Sequence, residues 1–576
     1  MQRMPAIPGQ APPESGETDS GTTRTLQDAE HRADGADRST DSPPSGVHLQ
    51  LAALPGFRRT VASRRRCLAH RTLRIALLCL ALAGGTGMTW PARPAPPPTG
   101  RDHQAFQLRT SIAPGFTLAA VGDIIEVRPI SQVPSFNPIG KLIKQADVAF
   151  GNFEGTVVDS NALPTWVEAE TGGGAILMDP LVPADLKRIG FDLVGRANNH
   201  ALDLGVTGMV STTEALKEAG LVQAGVGTSQ GTARAPAFLD TPQGRIGLVS
   251  ATATFTSMSR SGPAIPGQPA RPGVNALRTD AYHLVTAAEM HSLKMLADAS
   301  QKAEDDQPEP QTGLPEMTRA ASGVPKKTPE TLELFGVKYM VADHHGYHFT
   351  MDQGDLHEIL LNVEDAKKSS DFVIVSLHAH SPGSFSQTPA DFAEAFAHDA
   401  IDEGADAVVM HGPHQLRGIE IYKGRPIFYS LGNFVFQIDI IQPIEPDIYA
   451  EYGLDPRTSS SVDVSEKENA LDFANPFQYQ SVVATMTFGS CGVRRIELMP
   501  IDLHQDWRMA DRGVPTPASP AMARAILGRL RKLSLPYGTH IDLHGNLGII
   551  QPVRASTDCT RTSTLHPGST RRSAIP

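Results

Sequence analysis

His411 and His414 stand three positions apart at the end of an apolar run in the segment AVVMHGPHQLRGIEIYKGRPIFYSLGNFVF. Two imidazoles at the mouth of a buried strand are either turn residues or nitrogen donors to a metal. The other strand ends bear on the choice. LAAVGD delivers Asp123, VAFGNFE delivers Asn152 and Glu154, DLVGRANNH delivers Asn199 and His200, and VIVSLH delivers His378. Taken singly these signals are weak. A His after a strand is more often a turn or surface residue, Asn-Asn before His can be a turn or a cap, and Gly-Asn in LGNF can mark only a bulge. Five apolar runs that all end in oxygen or nitrogen donors are harder to dismiss. Imidazole with hard oxygen donors suits divalent Zn, Mn or Fe. A central carboxylate could bridge two such ions about 3.5–4 Å apart, which activate a shared water and clamp a phosphoryl or carbonyl oxygen.

Other chemistry fares worse. TGGGAILMDP has three glycines but no following Gly-Lys-Ser/Thr, so it reads as a flexible loop near the site whose backbone N–H groups could meet an anion. No Gly-x-Ser-x-Gly elbow and no Cys-His pair is persuasively placed for serine or thiol catalysis. Four cysteines (Cys67, Cys79, Cys491, Cys559) are too few and scattered for a disulfide framework or a thiolate zinc site. DHHGYH (Asp343 to His348) and HIDLH (His540 to His544) are dense in imidazole but follow no strong apolar run. A net charge of −11 argues against a nucleic-acid partner.

Donors far apart in sequence converge only if a fold brings them together. From Gly115 the chain alternates strand-like and helix-like stretches: FTLAAVGD, NPIGKLIKQA, DVAFGN, VPADLKRIG, FDLVGRA, TGMVSTTEALKEAG and RIGLVSA. The rhythm resumes with GDLHEILLNVEDAKKSS, DFVIVSLH, PADFAEAFAHDAIDEG and ADAVVMH, and QSVVATMTFG with VRRIELMPIDLH reads as a β-pair. Such alternation predicts an α/β core, in which ligands bind beyond the carboxyl ends of the strands. YSLGNF reads as the strand after His414, with a bulge at Gly432-Asn433.

Residues 1–60 lack apolar periodicity and read as a disordered leader. Residues 61–100 carry SRRRCLAHRTLR, then IALLCLALAGG, then PARPAPPPTG, the order of an export signal and a Pro-rich linker. Ser63-Arg64-Arg65 with Leu68 is similar to a twin-arginine signal, and a basic linker beside a short apolar helix is the other reading. A signal some sixty residues in would place the true translation start downstream of Met1. The expected address is the periplasm or cell envelope. Residues 115–550 form the folded domain, 301–330 a polar insertion, and 553–576 a frayed tail.

VGDII, DVAFGNFEGTV, GFDLVGRANNHALDLGVTGM, RPGVNALR and the segment around His411 together resemble the CapA family of poly-γ-glutamate capsule biosynthesis, over roughly residues 115–550. The resemblance implies a layered α/β/β/α sandwich like the calcineurin-type metallophosphoesterases, with ligands at strand C-terminal ends. It makes Asp123, Glu154, Asn199, His378, His411 and His414 the holders of two divalent ions. His200 becomes the group facing the leaving atom, with Arg128 and Asn152 as substrate contacts. Two functions follow: an exported hydrolase of a phosphoester or γ-glutamyl amide, or a non-catalytic surface component that binds an anionic polymer. Capsule-synthesis membrane proteins are the expected partners. The chain departs from the phosphoesterase pattern at three places. Ile125 replaces the histidine of D-x-H, the late pair is His-x-x-His, and Asn152 stands where many have Asp, so the first metal position is one ligand short. Asp203 could supply an oxygen or cap a helix. His380 should point away from the site if its strand continues.

Overall fold

The computed structural model describes residues 112–159, 171–306, 330–440 and 443–552. The leader, the export segment and the C-terminal tail expected from sequence lie outside these residues.

β1 (Thr117–Ile125), α1 (Asn137–Gln145), β2 (Val148–Phe153), α2 (Val182–Ile189), β3 (Leu193–Gly195), α3 (Gly205–Glu218) and β4 (Val222–Ala224) follow one another. The helices are the crossovers that parallel neighbours require, and β1, β2, β3 and β4 lie side by side in parallel. A second sheet is built the same way from β5 (Gly244–Thr252), α4 (Gln353–Ser369), β6 (Phe372–His378), α5 (Asp391–Asp402), β7 (Ala407–His411) and β8 (Arg425–Phe428). Its four strands are parallel in the order β5-β6-β7-β8, with antiparallel Ala237–Thr241 and Ile419–Tyr422 on its edges. The chain then returns to the first sheet. β9 (Asn433–Phe436) runs parallel to the end of β1, and β10 (Gln480–Gly489) pairs antiparallel with β1 and with β11 (Gly492–Asp502).

Period-two alternation sorts the apolar side chains into layers. Leu118 and Ala120 of β1 pack with Phe372 and Ile374 of β6, forming the core between the sheets. Ala119 and Val121 turn the other way, onto Ile139 of α1, Leu186 of α2 and Leu216 of α3. Val373 and Val375 of β6 meet Ile359 and Val363 of α4 and Phe396 of α5. Helix, sheet, sheet and helix are thus stacked, the four-layer arrangement that the resemblance implies.

Two expectations need correction. YSLGNF is not one strand. β8 ends at Phe428 in the second sheet, and the chain crosses to the first before β9 begins at Asn433. The crossing is tight: Gly432 has φ +70° and its carbonyl accepts from Asp123 N (2.9 Å), while a Cβ on Gly122 would lie 1.8 Å from that oxygen. Two glycines are needed there because only they allow so close a backbone approach. The polar insertion starts later than expected, since residues 301–306 finish the helix Ala287–Asp306, and 307–329 lie outside the described residues. Around that helix a separate four-stranded sheet (Thr279–Val285, Thr331–Leu334, Val337–Val341, Gly346–Met351) occupies a region without a readable pattern.

Candidate metal centre

The carboxyl ends of β1, β2, β6 and β7 open toward one point. Register places His378 directly beside His411, and Asp123 beside both Asn152 and Asn433. Asp123, Glu154, His378 and His411 are fully buried, and His414 nearly so. Three overlapping sets of donors converge: Asp123, His378 and His411; Glu154, His378 and His380; Asp123, Glu154 and His414. Among the described residues every such convergence falls in this one cluster. DHHGYH is therefore no second site: His344 and His348 are paired with Asp343 and Asp391, and His345 with Glu289.

Each outer imidazole has one nitrogen engaged by a neutral partner. His411 Nε2 lies 2.7 Å from Ser376 Oγ, leaving Nδ1 to face His378 Nδ1 (3.0 Å) and Asp123 Oδ1 (3.5 Å). His380 Nδ1 is 2.9 Å from Ser384 Oγ, and its Nε2 is 3.1 Å from His378 Nε2. The Asn433 amide donates from Nδ2 to the carbonyls of Gln478 (3.0 Å) and His414 (3.3 Å). Its Oδ1 therefore accepts from His414 Nδ1–H (2.9 Å), and the lone pair of His414 sits on Nε2. His378 alone points both nitrogens into the cluster, toward Asp123 (3.9 Å) and Glu154 (3.7 Å). Fixing one ring nitrogen so that the other faces inward is how proteins orient metal-binding histidines.

Burial drives the titrations toward the same end. It depresses His378 and His380, each aided by the neighbouring imidazoles, and brings His411 down to about 4. His414 is lowered by burial against the pull of Asp123. All four rings thus keep their lone pairs at neutral pH. Glu154 is pushed well up, first by burial and then by Asp123. Its Oε1 and the Oδ1 of Asn199 are buried with no hydrogen-bond partner. Neutral imidazoles around two close carboxylates, with orphaned oxygens at Glu154 and Asn199, fit a cation: its charge would relieve the repulsion and occupy the orphans.

His200 stands close enough to the cluster that a proton on it would lower His378, His380 and His414. Its Nδ1–H donates to Asp203 Oδ2 (2.8 Å), and Asp203 also accepts from Ile176 N and Gly172 N. Asp203 is thus neither a metal oxygen nor a helix cap; it orients His200. The glycine loop meets the site through Gly172, whose carbonyl accepts from Asn199 Nδ2 (2.9 Å).

Three further placements differ from expectation. Asn152 does not line a substrate wall. Its Oδ1 accepts from Asn198 (3.2 Å), so its Nδ2 turns to Asp123 Oδ1 (2.8 Å) and Glu154 Oε2 (3.3 Å), between the carboxylates. Arg128 is exposed and donates to the carbonyl of Ala510, in a cleft with Gln437, Trp507 and Asp511 that includes none of the cluster. The chain has already turned away from the site beyond Ile125. Conversely His380 belongs to the cluster, because β6 ends at His378 and strand alternation no longer governs the next residues. Ile125 is buried in the core behind the first sheet and offers no ligand. The stretch Gly227-Thr228-Ser229-Gln230-Gly231 has the letters of a serine elbow, but Ser229 Oγ accepts from Thr232 N and caps a short helix.

Residues 117–438 match the family described as bacterial capsule synthesis protein PGA_cap. The Sinorhizobium fredii protein y4sH is 40% identical over 454 residues, covering 77% of this chain and 94% of its own length. Capsule biosynthesis protein CapA of Bacillus anthracis is 24% identical over 328 residues, covering 56% of this chain and 59% of that protein. A phosphatase structure from Mycoplasma pneumoniae aligns over 68% of this chain and 95% of its own, at 10% identity and a TM-score of 0.31. So loose an overlap adds nothing to the layering described above. Among the described residues no helix is long and apolar enough to cross a membrane.

Proposed function

The chain belongs to the PGA_cap (CapA) family of bacterial capsule synthesis proteins, and from that premise we propose that it is an exported, metal-dependent hydrolase of capsule or poly-γ-glutamate metabolism, acting on a phosphoester or a γ-glutamyl amide. The observation that supports this most is the pair His411 and His380, each with one nitrogen engaged by a serine hydroxyl and the other turned into the cluster around Asp123 and Glu154. Asp123, Glu154, Asn199, His378, His380, His411 and His414 would hold the ions, of the Mn, Zn or Fe class and up to two in number. A bound ion would supply an activated water and polarise the oxygen at the scissile bond. The protein adds a proton relay: Asp203 holds the Nδ1–H of His200, so that Nε2 can take up a second proton and, as imidazolium, pass it to the leaving atom. The 61–100 segment fits export to the cell envelope, and capsule-synthesis membrane proteins are the natural partners there.

A second reading, capture of an anionic polymer without turnover, is favoured by Ile125 in the core and by the Asn152 amide, which donates to both carboxylates where a cation would otherwise sit. The test uses the full chain supplied with Mn or Zn, assayed on a chromogenic phosphodiester and on γ-linked glutamate oligomers. His200→Ala should lower turnover about 100-fold with metal content unchanged, and His378→Ala or His411→Ala should abolish it. Turnover that survives both ligand variants would refute the hydrolase; polymer binding by wild type without turnover would select the second reading.

A further inference from the structure

Outside the candidate metal centre, a cavity of about 410 Å³ is walled by Arg260, Arg271, Arg278 and Asp355. Asp355 is already saturated: Arg234 donates to its Oδ1 (2.6 Å) and Arg278 to its Oδ2 (2.6 Å), while Arg278 also pairs with Asp352 and Arg234 with Glu358. These two arginines and three acids form a closed network. The other two arginines are outside it. Among the described residues no hydrogen bond or ion pair engages the guanidinium of half-buried Arg260 or exposed Arg271. They stand on the two arms of one turn, joined by the Gly262–Arg271 bridge and by the bridge from Arg260 to Val274. Two unpaired forks facing one cavity, on a chain of net charge −11, form a local anion receptor.

The turn is rooted at the metal centre on both sides. It leaves β5 after Thr252, the register partner of His378, and Thr254 Oγ1 accepts from His380 N (2.9 Å). It returns through Val274, which packs against Ala201, the residue after His200.

We propose that this pocket binds carboxylates presented along an anionic chain, with Arg260 and Arg271 as the contacts and the paired Arg278 as scaffold. The inference rests on the polymer reading of the proposed function, because γ-linked glutamate carries one free carboxylate at every residue. It assigns the pocket to a stretch of polymer outside the metal centre.

Titration calorimetry on the full chain tests this with a γ-linked glutamate decamer, monomeric glutamate and inorganic polyphosphate as probes. The decamer should bind more tightly than the monomer, with affinity that falls as salt rises. Arg260→Ala/Arg271→Ala should weaken decamer binding about tenfold or more, tenfold being the low end for a single charge-assisted bond. Arg260→Lys/Arg271→Lys should fall between, keeping the charge without the fork. Both doubles should keep wild-type melting and metal content, and His411→Ala should keep decamer binding. Unchanged binding in the alanine double, or loss only in His411→Ala, overturns the pocket and leaves the proposed function standing. Polyphosphate preferred over the decamer overturns the carboxylate class. No decamer binding by wild type overturns the pocket and the polymer reading together.

Discussion

Gly122→Ala puts the sheet crossing under direct test. The added Cβ would lie 1.8 Å from the carbonyl oxygen of Gly432, and real Cβ contacts do not fall below 3.0 Å. One backbone or the other must retreat by about 1.2 Å, the difference between those distances. The carbonyl that must move accepts the Asp123 N–H (2.9 Å) and precedes Asn433, which orients His414. An unmade buried hydrogen bond costs about 1–3 kcal/mol. With the steric shift the total should reach about 3–5 kcal/mol, a large share of the 5–15 kcal/mol typical of a domain. Urea unfolding of the full chain, followed by far-UV circular dichroism, measures it. Gly528→Ala is the control: it lies within the helix Pro520–Ser534, its Cβ would meet nothing within 4 Å, and it should gain about 0.5–1 kcal/mol. A Gly122→Ala protein within about 1 kcal/mol of wild type, with wild-type metal content, would show that the β1–β9 contact does not hold Asp123 in place.

Ser376→Ala removes the hydroxyl 2.7 Å from His411 Nε2 and should lower metal affinity about 10-fold or more without unfolding the protein; equilibrium dialysis against Mn or Zn reads this. Glu468 is raised to about 8, first by burial and then by Asp472, Asp439 and Glu451. Because the folded-state value lies above the ordinary 4.5, its contribution to stability is complete below pH 4.5, declines as pH climbs, and is gone above about 8. Glu468→Gln should therefore match wild type near pH 4.5 and become the more stable of the two by pH 9, as read from urea midpoints across that range.

The strand ends were legible because burial and polarity switch abruptly there. VIVSLH and AVVMH stop being apolar at the residues that face the cluster, and the strand–helix rhythm implies an α/β core, while the four-layer stacking followed from the resemblance. What orients those residues was not legible. Ser376, Ser384, Asp203 and Asn433 contact their histidines through tertiary register or turn geometry, and no local pattern marks them. One signal was present in hindsight: a serine in the middle of the apolar run VIVSLH has a reason only if its hydroxyl has a partner. His380 went astray by the extension of strand geometry past a strand end, and Arg128 by a carry-over from the resemblance to a position beyond one. β6 stops at His378 and β1 at Ile125, and beyond those points alternation carries no directional information. The crossing at Tyr429–Gly432 was invisible because its need for glycine at Gly122 comes from a segment about three hundred residues away.

Metal content by mass spectrometry, on full-length protein purified and supplied with Mn or Zn, tests the central claim most directly. The account predicts one to two ions per chain, falling by at least one in His378→Ala, whose ring points both nitrogens into the cluster. A folded wild-type protein that retains no ion would contradict it.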